Sequence, residues 1–129
     1  MTTWKIKSYD IPYIKQAAEI LKKDPRQHFT NTALALEVGI NAIKLQLGFK
    51  QVFNQTIHYY TLDLRLNLAR ELLEETDLTI AEVGYKSGFK SRDVFTRCFR
   101  KKYDCAPRDW RKIENVLSDE PEERKTMIA

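Results

Sequence analysis

Ten Lys and Arg side chains crowd the 28 residues from Tyr85 to Lys112: Lys86, Lys90, Arg92, Arg97, Arg100, Lys101, Lys102, Arg108, Arg111 and Lys112. Only Asp93, Asp104 and Asp109 oppose them, ten bases against three acids for a net of +7. The 84 residues before this segment carry ten bases and ten acids, and the 17 after it carry two bases and five acids. The whole-chain charge of +4 at pH 7 therefore arises in one short stretch. Clustered guanidinium and ammonium groups attract polyanions, phosphate backbones above all. The bland alternative is a solvated basic face.

Other chemistry is poorly provided for. Cys98 and Cys105 have six residues between them, which is no Cys-x-x-Cys pair, and neither His28 nor His58 has a metal-ligand neighbour at useful spacing. Reduced, partly buried thiols and no metal are expected. No Ser-His-Asp set, paired carboxylates or Gly-rich phosphate loop is present, so the chain is expected to be no enzyme and to need no cofactor. No apolar run approaches the ~20 residues that cross a bilayer, and the start, Met-Thr-Thr-Trp-Lys-Ile-Lys, lacks a secretory signal. A cytoplasmic protein without membrane contact is expected.

The 129 residues suffice for one domain with a proper core, and four Gly and four Pro leave little punctuation for many short strands. An all-α chain follows, and an internal repeat organises it. Phe49-Lys-Gln-Val-Phe53 recurs fifty residues later as Phe99-Arg-Lys-Lys-Tyr103. At the same offset Asn54 matches Asp104, Ile57 matches Pro107 and Tyr60 matches Trp110. Ala35 to Gly39 matches Gly84 to Gly88 at an offset of forty-nine, so the second copy has the longer turn.

Each copy reads as a short helix, a tight turn and a second helix. Thr30 is a plausible N-cap for Asn31 to Val38, Gly39 takes the positive φ that ends it, Ile40 enters the core and Asn41 caps the next helix. Leu45, Phe49 and Phe53 then face inward. In the second copy Thr79-Ile-Ala-Glu82 is a capping box, Gly84 the small residue, Gly88 the turn, Phe89 the plug and Ser91 the cap. Val94 or Phe95, Phe99 and Tyr103 face inward. A Gly between two short amphipathic helices marks a helix-turn-helix, and two in tandem mark it strongly. Between them Leu62, Leu64, Leu66 and Leu68 alternate as a strand would. Leu62, Leu66, Ala69 and Leu73 also satisfy helical spacing, and Ala69 to Glu75 has high helix propensity, so a helix from about Thr56 to Glu75 is expected. A first helix, Ile11 to Lys22, carries Ile14, Ala17, Ala18 and Leu21 on one stripe with Asp10 as its expected cap.

These residues resemble the DNA-binding domain of the AraC/XylS family of bacterial transcription regulators. The resemblance runs from about Ile11 to Lys112. Its most specific residues are Leu64-Arg-Leu66, Ala69, Leu72-Leu73, Thr79-Ile-Ala-Glu-Val83, Gly88-Phe89, Phe95, Arg97, Phe99-Arg-Lys101, Pro107 and Trp110-Arg111. It implies seven helices: a DNA-binding domain over residues 9–113 with helix-turn-helix units at about 30–55 and 79–103, a linker helix at about 56–75, and an acidic tail at 114–129. It also implies that the third and sixth helices read promoter DNA, for activation or repression. RNA polymerase and a sensor or dimerisation domain outside this chain join double-stranded promoter DNA as candidate partners. The alternative is a basic protein-interaction module of a larger regulator or repair protein. Two departures stand out: the family's first reader is usually more polar, and Ala106 replaces the Ser or Thr that would cap the last helix.

Site residues follow from the faces. With Phe95 and Phe99 inward, Arg92, Asp93, Thr96 and Arg97 can lie outward. Arg97 suits bidentate bonding to guanine, Asp93 can accept from cytosine N4, and Thr96 can touch a thymine methyl. Arg92 suits a base or a phosphate, while Arg100, Lys101 and Lys102 suit phosphates. In the first reader Ala42, Ile43, Gln46 and Lys50 are the candidates. Gln46 suits adenine and Lys50 a phosphate, whereas Ile43, like Leu47, offers only methyl contacts. The rigid linker, about 30 Å long, would hold the readers one turn of B-DNA apart, about 34–36 Å.

Overall fold

The structure, a computed structural model, describes residues 4–118. The expected acidic tail lies outside the described residues from position 119 onward. After a 3-10 turn at Ser8–Asp10, seven helices follow: α1 (Ile11–Lys23), α2 (Asn31–Val38), α3 (Ala42–Phe53), α4 (Ile57–Glu75), α5 (Ile80–Lys86), α6 (Arg92–Tyr103) and α7 (Pro107–Ser118). No strand occurs among the described residues. The chain forms two compact units, one ending at Arg65 and one beginning at Leu66, and the division falls within α4.

In the first unit α1 buries Ile14, Ala17, Ala18 and Leu21, the stripe its spacing requires. They meet Leu34, Ala35 and Val38 of α2, Leu45 and Phe49 of α3, and Ile57, with Ile40, Phe53, Tyr60 and Leu64 half-buried around them. The caps are local chemistry. Thr30 Oγ1 accepts from Ala33 N at 3.0 Å, and Asn41 Oδ1 accepts from Ile43 N at 2.8 Å and Lys44 N at 3.2 Å. Gly39 ends α2 at φ 84°, and Ile40 N donates to Ala35 O at 3.1 Å, closing a Schellman turn.

The second unit repeats this plan. Thr79 Oγ1 accepts from Glu82 N at 3.1 Å and Ser91 Oγ from Val94 N at 3.1 Å. The capping box is half-formed: the Thr79 hydroxyl also donates to Glu82 Oε1 at 3.1 Å. Phe89 N donates to Gly84 O at 2.9 Å, the same six-residue closure, with Gly88 at φ 103°. Lys90 is then the extra residue before the cap. Leu66, Ala69 and Leu73 of α4 are buried together with Val83, Phe89, Phe95 and Phe99. The leucine alternation of α4 is thus two helical stripes meeting: Ile57 and Leu64 close the first unit, and Leu66, Ala69 and Leu73 open the second. Thr56 starts that helix, accepting from Tyr59 N at 3.2 Å, while its equivalent Ala106 offers α7 no such bond.

The expected Asp10 cap is a correction. Asp10 makes no side-chain cap bond, because the 3-10 turn runs straight into α1 and holds Asp10 in the helical region at φ −85°, ψ −21°. A cap needs extended backbone, and Pro12 also removes one of the N–H groups it would serve. The buried carboxylate instead lies 3.8 Å from Lys44 Nζ.

A Cβ on Gly84 would meet the Cβ and ring carbons of Phe95 within about 3 Å. The ring is rooted too close to its backbone to move aside. The first copy solves the same crossing with Ala35 and Leu45, a larger residue against a smaller one. Gly84→Ala should therefore lower unfolding free energy by ~1–3 kcal/mol by overpacking. Combined with Phe95→Leu it should cost less than the sum of the two single changes. Urea denaturation of all three variants measures this; additive losses would contradict the packing account.

Candidate nucleic-acid interface

The α6 helix is a two-sided element. Phe95 and Phe99 are fully buried, and Val94, Cys98 and Tyr103 are half-buried. Arg92, Asp93, Arg97, Arg100 and Lys101 are exposed and Thr96 half-buried, and these six side chains line one shallow open groove. All six residues expected on the second reader are brought together. Among the described residues no carboxylate lies within ion-pair distance of Arg92, Arg97, Arg100 or Lys101. A groove with four uncompensated cations, one carboxylate and one hydroxyl offers forked donors, an acceptor and a methyl on a single helical surface. Arg100 and Lys101 also sit in the last turn, where positive charge favours the helix dipole.

Two of the ten clustered bases have other work. Arg111 Nε donates to Leu73 O at 3.2 Å, Nη2 to Thr76 O at 3.1 Å, and Nη1 to Leu78 O. It thereby satisfies carbonyls left open at the end of α4 and in the following loop. Lys102 Nζ donates to Asn67 Oδ1 at 3.1 Å and lies 5.3 Å from the centre of the Tyr103 ring. In the first unit Arg65 takes the part of Arg111: its Nε donates to Pro25 O at 2.7 Å and its Nη2 to Gln27 O at 3.3 Å, and burial pushes its pKa down. Arg65 is four residues out of register with Arg111 in the repeat, so the sequence pattern does not reveal the shared task.

On α3 the outward stripe is Ile43, Gln46, Leu47 and Lys50, all exposed, while Ala42 packs half-buried against the core. The other polar side chains of α3 face elsewhere. Lys44 pairs with Asp10, lying 5.9 Å from the centre of the Tyr9 ring. The Gln51 amide accepts from Ile6 N at 2.7 Å and donates to Trp4 O at 2.5 Å, strapping the leading segment to α3. Gly48 makes room beneath that strap, since a Cβ there would run into Ile14 and Ile6. At the repeat offset Gln51 corresponds to Lys101 and Leu47 to Arg97, so α3 lacks two of the cations that α6 presents.

Cys98 and Cys105 are free thiols, and burial with the Asp109 and Asp104 charges pushes the Cys105 pKa up, which keeps it protonated near neutral pH. Among the described residues no three His, Cys, Asp or Glu converge as metal ligands, and no helix is long and apolar enough to cross a membrane.

A family described as "Helix-turn-helix domain" matches residues 34–113. The HTH-type transcriptional regulator ArgR of Pseudomonas aeruginosa is 31% identical over 98 residues, 76% of this chain and 30% of that protein. This chain spans about a third or less of the length of such curated relatives. An AraC-type DNA-binding domain-containing regulator from Chromobacterium violaceum superposes with TM-score 0.75 at 28% identity, covering 84% of this chain and 96% of that one. The DNA-binding domain of AdpA, solved in complex with a target DNA, superposes with TM-score 0.76, covering 80% of this chain and 93% of that one; at 18% identity this likeness concerns the fold.

Arg111 and Arg97 separate structural from interfacial charge. Arg111→Ala should lower unfolding free energy by about 2–3 kcal/mol, because it strands partly buried carbonyls that a charged donor now satisfies. Arg97→Ala, at an exposed position, should change it by no more than about 0.5 kcal/mol. Equal urea midpoints for the two variants would contradict this division.

Proposed function

The chain belongs to the AraC-type helix-turn-helix family, and on that premise we propose that it is a sequence-specific regulator of transcription whose α6 and α3 enter successive major grooves of a promoter duplex. One observation carries the reading: the outward residues of α6 lie together on an open basic surface whose other side is anchored by Phe95 and Phe99. A helix held by its aromatic side and charged on the other fits the major groove, which admits one α-helix and displays the base edges.

The roles follow from donor geometry. Arg97 bonds guanine O6 and N7 with its forked donors, Asp93 accepts from cytosine N4, and Thr96 contacts a thymine methyl. Arg92 reaches a base or phosphate near the start of the helix, and Arg100 and Lys101 hold phosphates near its end. On α3, Gln46 bonds adenine and Lys50 holds a phosphate. The 19 residues of α4 make a spacer of about 28 Å at ~1.5 Å per residue. One turn of B-DNA is about 34–36 Å, and bending of the duplex would absorb the difference. A single chain can then read an asymmetric two-part site in the cytoplasm. The greater length of the curated relatives supports a further sensor or dimerisation domain as a partner, and a role at promoters supports RNA polymerase as another. Its family and fold are those of DNA-binding regulators, and the chemistry assigned to this chain is recognition.

Two measurements test the reading. Affinity for duplex DNA should fall with salt at a log–log slope of about −0.9 per phosphate neutralised; a slope near zero would overturn the DNA assignment and favour an acidic protein partner. On the preferred duplex, Arg97→Ala should cost ~1–3 kcal/mol and relax selection at one base pair. Gln46→Ala should cost less, and the reverse order would overturn the dominance of α6.

A further inference from the structure

The two reader helices sit in matching frames, so their outward residues can be compared one for one. Asp93, Thr96, Arg97 and Arg100 of α6 correspond to Ile43, Gln46, Leu47 and Lys50 of α3. Ile43 is 67% exposed and Leu47 44% exposed, one turn apart, with Gln46 between them. Nothing in the first unit's packing calls for these two large side chains, whose surfaces stay in water while Leu45 and Phe49 fill the core. Resting on the reading above, we propose that α3 selects an A·T-rich half-site by packing Ile43 and Leu47 on thymine C5-methyl groups.

The thymine methyl is the apolar feature of the major-groove edge, and it is what an aliphatic side chain can recognise there. Rejection strengthens the preference. A guanine or cytosine edge opposed by Ile43 or Leu47 loses water without gaining a partner, a larger effect than the attraction of one methyl. Gln46 adds adenine to the same preference, since its amide matches N6 and N7. The composition of the two half-sites therefore differs: thymine and adenine under α3, guanine and cytosine under Arg97 and Asp93.

The test uses the full chain and its preferred duplex, obtained by selection from a random pool. Each thymine is replaced in turn by deoxyuridine, which removes the C5-methyl and leaves every hydrogen-bonding group. At one or two thymines of one half-site binding should weaken by roughly 4-fold, the effect of one buried methyl. Leu47→Ala and Ile43→Ala, exposed changes to a residue of higher helix propensity, should each lose the response at the thymine that the shortened side chain covered and keep it at the other. Neutral deoxyuridine at every position, or equal losses in wild type and both variants, would overturn the inference and leave the DNA reading standing. A pool that yields no preferred duplex would overturn both.

Discussion

Each reader helix is held by a phenylalanine buried at its middle and clasped by two further rings. Phe49 lies 4.6 Å from Phe53 and 5.1 Å from Tyr60, with Tyr60 edge-on at 83°. Phe99 lies 4.5 Å from Tyr103 and 5.9 Å from Trp110, edge-on at 81°. The remaining sides of the two triangles measure 5.2 and 5.1 Å. Such pairs contribute ~0.5–1.5 kcal/mol each beyond the area they bury. Losing a buried Phe altogether costs ~3–5 kcal/mol, a large share of the ~5–15 kcal/mol that holds a domain together. The third ring comes from the following helix, so the chain must reverse immediately after the reader. Asn54 and Asp104 do this at φ 58° and 60°, a left-handed turn that these short polar residues tolerate. The triangle and the turn together determine which side of the reader faces outward.

Because that frame is duplicated, the two helices differ mainly in their outward residues, and the proposed function makes those differences ones of recognition. The second unit presents four open cations. The first turns Lys44 toward a buried carboxylate and uses Gln51 to bind its own leading segment, which leaves Lys50 beside aliphatic and amide groups. One reader is thus suited to electrostatic capture and guanine, the other to discrimination by fit. On the proposed reading, the charge imbalance that a count of residues shows is a division of labour between two copies of one scaffold.

Much of this was legible in the chain. Thr30, Asn41, Thr79 and Ser91 act within three residues of themselves, and the aromatic spacing repeats at a constant offset, so caps, turns and inner faces could be read directly. The outward residues of α6 followed once its inner face was known. What could not be read in this way shares a different cause. Asp10 is prevented from capping by the turn before it and drawn to Lys44, a partner 34 residues away. Arg111 and Lys102 reach residues more than thirty positions back. A lysine or arginine has the same composition signature whether it meets a phosphate or a backbone carbonyl. Only the folded neighbourhood distinguishes them.

The central claim, that one buried frame carries two exchangeable reading surfaces, is tested most directly by moving the surface. The variant Ile43→Asp, Gln46→Thr, Leu47→Arg gives α3 the counterparts of Asp93, Thr96 and Arg97, the three side chains of α6 with proposed base contacts only, and leaves Leu45, Phe49 and Phe53 in place. Duplex selection from a random pool, with circular dichroism and thermal melting to establish that the fold is retained, reads the outcome. The account predicts that the first half-site is replaced by a second copy of the half-site read by α6. A folded variant that still selects the original first half-site would contradict it.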